Sequence, residues 1–282
     1  MKKMPFLLST LLITAALAGC AEKETSSQPV EAAQEPIDLQ EEVGAYKEFA
    51  IEQMNEFVLE TEKFTEAVKS GDMEKAKELY PLARMYFERS EPIAESFGDL
   101  DPRIDARLAD IQEAGQGEED WSGYHKIEYG LWEESTTEGY AEVADQLLMD
   151  TKELRARVET VDVTPDLMMT GAVDLLNEVS TSKITGEEEI YSHTDLYDFQ
   201  ANIEGAEKIF RILEPEITAK DQTLTENLEA KFEALYALLD EHRIGENGFV
   251  SYEELTAEDT KQLSEAVNQL GEPLSQMGII ME

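Results

Sequence analysis

Apolar side chains return every three or four positions through most of this chain, and that spacing restricts it to helices. Val43, Tyr46, Phe49, Ala50, Met54, Phe57, Phe64 and Val68 trace one face of a helix over 42–69. The stretch from Ser70 to Met73 breaks it, and Asp72 is placed to accept backbone N–H groups of the next turn. A second helix covers 73–90 through Ala76, Leu79, Leu82, Ala83, Tyr86 and Phe87, with Pro81 predicting a kink or a restart. Glu91-Pro92 opens a new piece, and Asp101-Pro102 predicts a short helix over 103–111. Residues 115–120 read as a loop, followed by helices over 121–134, 138–161 and from Pro165 to about 180. A polar loop then leads to a long helix, capped by Ser192 or Thr194, whose face holds Leu196, Phe199, Ile203, Ala206 and Phe210. Helices over 222–242 and 256–274 complete the pattern. The turn between them lacks the Asp-x-Asn-x-Asn-Gly pattern of a calcium loop. The class is all-α.

One echo divides the chain. Phe87 precedes Glu91-Pro92 as Phe210 precedes Glu214-Pro215, with an aromatic five residues before each proline. Duplication predicts two related helical-bundle halves, about 42–160 and 161–282, forming one domain over 42–282. Chance likeness between amphipathic helices is the competing account.

The first residues carry an address. Lys2 and Lys3 form a positive start, 5–18 are almost wholly apolar, and Ala18-Gly19 precede Cys20. That is an export signal, too short for a stable membrane span. Its Leu-Ala-Gly-Cys end resembles the bacterial lipobox, which predicts a signal peptide over 1–19, lipidation of Cys20 and attachment to membrane lipid. Residues 20–41, polar with Pro29 and Pro36, form a flexible tether. The expected location is the cell membrane, facing outward. Cys20 is the single cysteine, so the exported domain has no internal disulfide and relies on its core.

The formal net charge is −40. Such a surface repels nucleic acid and suits cationic partners. Acidity alone marks no site, because a solvated face accounts for most carboxylates.

The chemistry-bearing residues are few. The three histidines are His125, His193 and His242. His125 and Glu128 stand at i and i+3, so on a helix they share a face. Trp121, Tyr124, Ile127, Leu131 and Trp132 surround them with core-type residues, where an ionisable group needs a partner or a metal. Glu88 and Glu91 form a second i,i+3 pair, and Asp105 lies on the short helix between. These five residues make a candidate oxygen-rich, one-nitrogen metal site, suited to iron, manganese or zinc and not to copper(I). The alternative leaves Glu88 and Glu91 as exposed helix carboxylates and pairs Asp105 with Arg103 or Arg107. The chain has no His-Glu-x-x-His motif, phosphate loop, nucleophile elbow or dinucleotide fingerprint.

Three stretches are longer signals: YFERSEPIAESFGDLDPRIDAR at 86–107, WSGYHKIEYGLW at 121–132, and LLNEVSTSKITGEEEIYSHTDLYDFQANIEGA at 175–206. They resemble the imelysin-like family, also labelled peptidase M75, and most closely its EfeO/EfeM branch of bacterial iron-uptake lipoproteins. The resemblance covers about 42–275. It implies an all-helical domain of two related halves, with the signature His and Glu at His125 and Glu128 and further ligands at Glu88, Glu91 and Asp105. His193 and Asp195 fall in the third stretch, with an outer-sphere or structural role. The resemblance implies iron, Fe2+ or Fe3+, as cargo, with zinc or another divalent cation as the alternative. It also implies an EfeU-type iron permease and a haem-peroxidase-like EfeB-type protein as partners. The cupredoxin module of many EfeO proteins has no room here, so no copper centre is expected. Metal capture without catalysis is the leading expectation. A surface metallopeptidase and a structural surface domain are the alternatives.

Overall fold

The computed structural model describes residues 37–245 and 248–281. The expected signal peptide, Cys20 and most of the tether lie outside the described residues. Helical structure starts before position 42: α1 spans Gln40–Ser70, and Leu39 is already buried.

The first half follows from its apolar faces. Tyr46, Ala50, Met54, Phe57, Phe64 and Val68 are the buried stripe of α1. Gly71 ends that helix with φ +81°, a left-handed conformation that glycine adopts without strain, and its N–H bonds back to Ala67 and Val68. Asp72 caps α2 (Met73–Glu88) by accepting the Lys75 N–H at 3.2 Å. The helix runs unbroken through Pro81, with no restart. Pro81 removes one main-chain donor, but it is buried, and packing along the helix outweighs that loss. α2 packs on α1 and on α6 (Gly123–Trp132), and α7 (Ala141–Val158) lies along α1 and α6.

Between α2 and α6 the chain is broken into short pieces: α3 (Glu91–Ala94), α4 (Asp101–Asp105) and α5 (Leu108–Glu113). The expected helix over 103–111 is therefore two helices. Ala106 and Arg107 are extended between them, and the Ala106 carbonyl accepts the Trp121 indole N–H at 2.8 Å. That tertiary hydrogen bond replaces the helical one and lets Asp105 end α4.

The second half is a four-helix group of α8 (Pro165–Thr181), α9 (Asp195–Lys220), α10 (Gln222–Asp240) and α11 (Ala257–Met281). α9 also packs on α2, which joins the two halves through one continuous core. α9 and α11 continue through Pro215 and Pro273 as α2 does through Pro81. Glu91-Pro92 begins a short helix, whereas Glu214-Pro215 lies inside a long one, so the two dipeptides occupy different settings. The turn after α10 holds a small antiparallel pair, β1 (Arg243–Ile244) and β2 (Gly248–Phe249), within an otherwise helical fold.

Candidate metal centre

Four segments converge where α9 crosses α2. From α2 come Arg84 and Glu88, one turn apart. α4 ends at Asp105. α6 supplies His125 and Glu128. The loop before α9, with the first turns of α9, supplies Glu188, Glu189, Asp195, Asp198 and Asn202. α6 can approach α4 because its first residue is Gly123: φ is +83°, and a Cβ would collide with the Ile104 carbonyl. That close approach brings His125 beside Asp105.

The His125 ring is buried, with its exposure at 1%. Its Nδ1 lies 3.0 Å from Glu128 Oε2 and 3.4 Å from the Tyr80 hydroxyl. Its Nε2 has no hydrogen-bond partner among the described residues and faces Asp105 Oδ1 at 3.7 Å. The second Glu128 oxygen accepts the backbone N–H groups of Tyr191 (3.0 Å) and Ser192 (2.7 Å). The loop that aims these donors is strained at His193, whose φ is +57°.

Arg84 fills the middle of the cluster. Its guanidinium pairs with Glu88 (2.7 Å), Asp105 and Glu189 (2.6 Å), with Asp198 at 3.6 Å. Lys183, also buried, pairs with Glu88 at 2.9 Å and lies near Glu178 and Glu188. Asn202 donates to Glu88 and Glu91. Beneath this lies an aromatic floor of Phe57, Phe64, Tyr80 and Tyr124, with Arg84 over the rings of Tyr80 and Tyr124.

Positive charge is short here. Glu88, Glu91, Glu128, Glu188, Glu189, Asp195 and Asp198 are buried, against Arg84 and Lys183 as the buried lysine and arginine. Water is too distant to stabilise that many carboxylates, so protons or a cation must. Burial pushes Asp105 up to about 7, although Arg84 and His125 work to lower it. Burial, helped by Glu189, takes Asp195 to about 7 as well. Glu128, Glu189 and Asp198 are also raised, first by burial. Glu188 goes the other way. Burial would raise it, but Lys183, His125, Arg107 and Arg84 hold it down to about 2.

The five expected ligands do not form one group. Asp105, His125 and Glu188 present donor atoms within 4.8 Å of one another, and so do His125, Glu128 and Glu189. Each group can hold a metal ion. Glu88 is instead buried between Arg84 and Lys183. Glu91 falls in a separate group with Glu95 and Glu178. Neither is the exposed carboxylate of the alternative reading. Asp105 pairs with Arg84, while Arg103 goes to Asp150, and Arg107 goes to Asp110 and Glu188. His193 points away from the cluster, toward Glu253 at 3.7 Å. Asp195 touches it indirectly, accepting the Glu189 N–H at 3.2 Å. Neither Ser192 nor Thr194 caps α9 through its side chain; the Ser192 hydroxyl bonds Glu189 instead.

Sequence reasoning missed Arg84, Lys183, Glu188, Glu189 and Asp198. Arg84 carried a signal: it stands four residues before Glu88, on the helix side that also holds Tyr80 and Phe87. Glu188 and Glu189 lie in the third of the family-like stretches but in its polar loop, where no period distinguishes an inward carboxylate from an outward one.

A groove of about 460 Å³ opens onto Asp105 and Glu188, with Glu91, Asp101 and Glu178 along its walls. A second, of about 440 Å³ and lined by Ile190, Tyr191 and Leu108, reaches His125. The cluster is thus reachable from two sides of the segment that holds Arg107.

Comparison with known proteins agrees with this architecture. The imelysin (peptidase M75) family model matches residues 43–277. An "Efem/EfeO family lipoprotein" of Staphylococcus haemolyticus is 51% identical over the full length of both chains. One of Staphylococcus aureus is 53% identical over 87% of this chain and 86% of its own. The chain belongs to the imelysin family and, within it, to the EfeM/EfeO group.

Proposed function

We propose that this protein is the extracytoplasmic metal-capturing component of an iron-uptake system, held at the membrane by lipid on Cys20. The observation that carries this reading is the buried, cation-deficient carboxylate cluster around His125, whose Nε2 is buried without a partner. Oxygen donors with one imidazole suit iron, and they admit zinc or another divalent cation. The relatives' description as lipoproteins supports the membrane anchor. Among the described residues no helix is long and apolar enough to cross a membrane.

Capture here is an exchange of positive charge. An arriving cation takes the place of protons that burial holds on Asp105 and its neighbours, so binding releases protons. Handing iron on to an EfeU-type permease, with an EfeB-type haem-peroxidase-like partner, follows from membership of the EfeM/EfeO group. The role is binding and transfer without bond cleavage.

Calorimetric titration of the metal-free protein with iron and with zinc tests the reading. Saturable binding of one or both is expected, and the double variant His125→Ala, Glu128→Ala is expected to abolish it. Unchanged affinity in that variant would remove His125 and Glu128 from the site.

A further inference from the structure

We propose that Tyr252, which lies outside the carboxylate cluster between β2 and α11, is the latch of the loop over 184–193, and that a captured cation is retained because this latch keeps the loop against α6. Retention rests on the metal-capture reading; the latch itself is a matter of loop geometry. Tyr252 is a positioning residue and not a ligand.

The loop has to be held from outside, because its shape is not one that its backbone prefers. Gly186 has φ +73° and His193 has φ +57°, so left-handed residues bracket 187–192. Glycine adopts that conformation without strain, whereas a residue with a Cβ keeps it only where surrounding bonds fix it. His193 has such bonds on both sides. Its N–H donates to the Glu189 carbonyl at 2.7 Å, and its carbonyl accepts the Tyr252 N–H at 2.9 Å.

Tyr252 also reaches the other end. Its hydroxyl donates to the Ile184 carbonyl at 2.5 Å. Its ring lies so close to Gly186 that a Cβ there would stand 2.7 Å from it. One residue thus clasps both ends of the loop. Its own seat is fixed on the first turn of α9: Phe249 is buried, packs edge-on against the Tyr197 ring at 5.2 Å, and donates its N–H to the Tyr197 hydroxyl at 3.2 Å.

The clasped stretch carries much of the cluster. It holds Glu188 and Glu189, together with the Tyr191 and Ser192 N–H groups that Glu128 accepts. The Tyr191 ring packs edge-on against Tyr129 of α6 at 5.2 Å. α6 therefore grips the middle of the loop, and Tyr252 grips its ends. The Tyr252 hydroxyl and N–H are both spent on loop carbonyls, so the residue acts on the cluster through the loop's position. Loosening it lets 187–192 part from α6 and carries Glu188 and Glu189 off together.

The test is amide hydrogen exchange of the metal-free full chain, read residue by residue by NMR, alongside the rate at which bound Zn(II) passes to an excess of a coloured chelator. Tyr252→Phe removes the hydroxyl bond alone, and Tyr252→Ala removes the ring as well. In Tyr252→Phe, exchange at the Tyr191 and Ser192 amides should rise about tenfold, the effect of one lost hydrogen bond on a local opening. It should rise further in Tyr252→Ala, and Zn(II) should leave faster by similar factors. Asp72→Ala, which weakens the fold at a distant cap, should change neither reading. Unchanged exchange at Tyr191 and Ser192 in both variants overturns the latch. An equal rise throughout α1 and α10 overturns it too, since Tyr252 would then serve only overall stability. Faster loop exchange with unaltered Zn(II) release overturns the retention role. A wild-type chain that binds neither Zn(II) nor iron overturns the metal-capture reading and retention with it, while the amide rates still decide whether Tyr252 holds the loop.

Discussion

The seam between α10 and α11 and the junction of α2, α6 and α9 are both buried, yet they are built from opposite materials. The seam holds Leu224, Leu228, Phe232, Leu235 and Leu239 against Leu263, Val267, Leu270 and Leu274, all nearly inaccessible. Each such side chain contributes about 1.5–3 kcal/mol by leaving water. The junction buries seven carboxylates with two cations, an arrangement whose desolvation costs stability unless a positive charge completes it. One region holds the fold together. The other keeps a set of donors incompletely neutralised, and that is what a cation-capturing protein requires.

The sharpest way to break this contrast is to remove the resident cation. Arg84→Met leaves Glu88, Asp105, Glu189 and Asp198 without their shared partner, and the metal-free protein should lose about 3–5 kcal/mol in urea unfolding. Saturating Zn(II) should recover part of that loss. A loss below about 1 kcal/mol would mean that the acids are protonated and indifferent to Arg84.

Leu235→Ala in the seam should cost about 2–5 kcal/mol, with metal affinity unchanged. The Zn(II)-induced rise in melting temperature should match that of the wild type. A change in affinity would show that the two regions are coupled.

Acidity separates them further. Asp105 and Asp195 hold protons up to about pH 7 when folded, whereas ordinary aspartates release theirs near 3.9. Between those values the folded state binds more protons, so stability is greatest at the low end and falls as pH rises toward 7. Asp195→Asn should flatten part of that slope in metal-free protein, and Leu235→Ala should shift the curve without changing its slope. Parallel curves for wild type and Asp195→Asn would discard the buried-proton account.

The smallest effect belongs to neither region. Asp72→Ala removes the α2 cap far from the cluster and should cost about 1 kcal/mol, with the pH slope and metal affinity unchanged.

Most of the helices were legible in the chain. The three-and-four spacing located the long ones, and Asp72 and Gly71 marked a boundary that the structure keeps. The failures were local rules overridden by distant contacts. Pro81 did not interrupt its helix, and the 103–111 segment divided because Trp121 satisfies the Ala106 carbonyl from fifteen residues away. The candidate site was half visible. His125 and Glu128 share a face by spacing alone, and Asp105 joins them. Glu188 and Glu189 gave no such sign, since loop residues have no period to read.

Residue order determined a helical chain, an acidic composition and one histidine-carboxylate pair on an apolar helix, and its first residues resemble a lipoprotein leader. Each is a matter of near neighbours, where the helical repeat or a short motif sets the outcome. Tertiary structure decided which carboxylates are dry, that Arg84 and Lys183 stand among them, and that one nitrogen of His125 is held while the other is free. Burial and charge pairing depend on segments up to about a hundred residues apart along the chain, and the energy of a buried charge depends on what surrounds it.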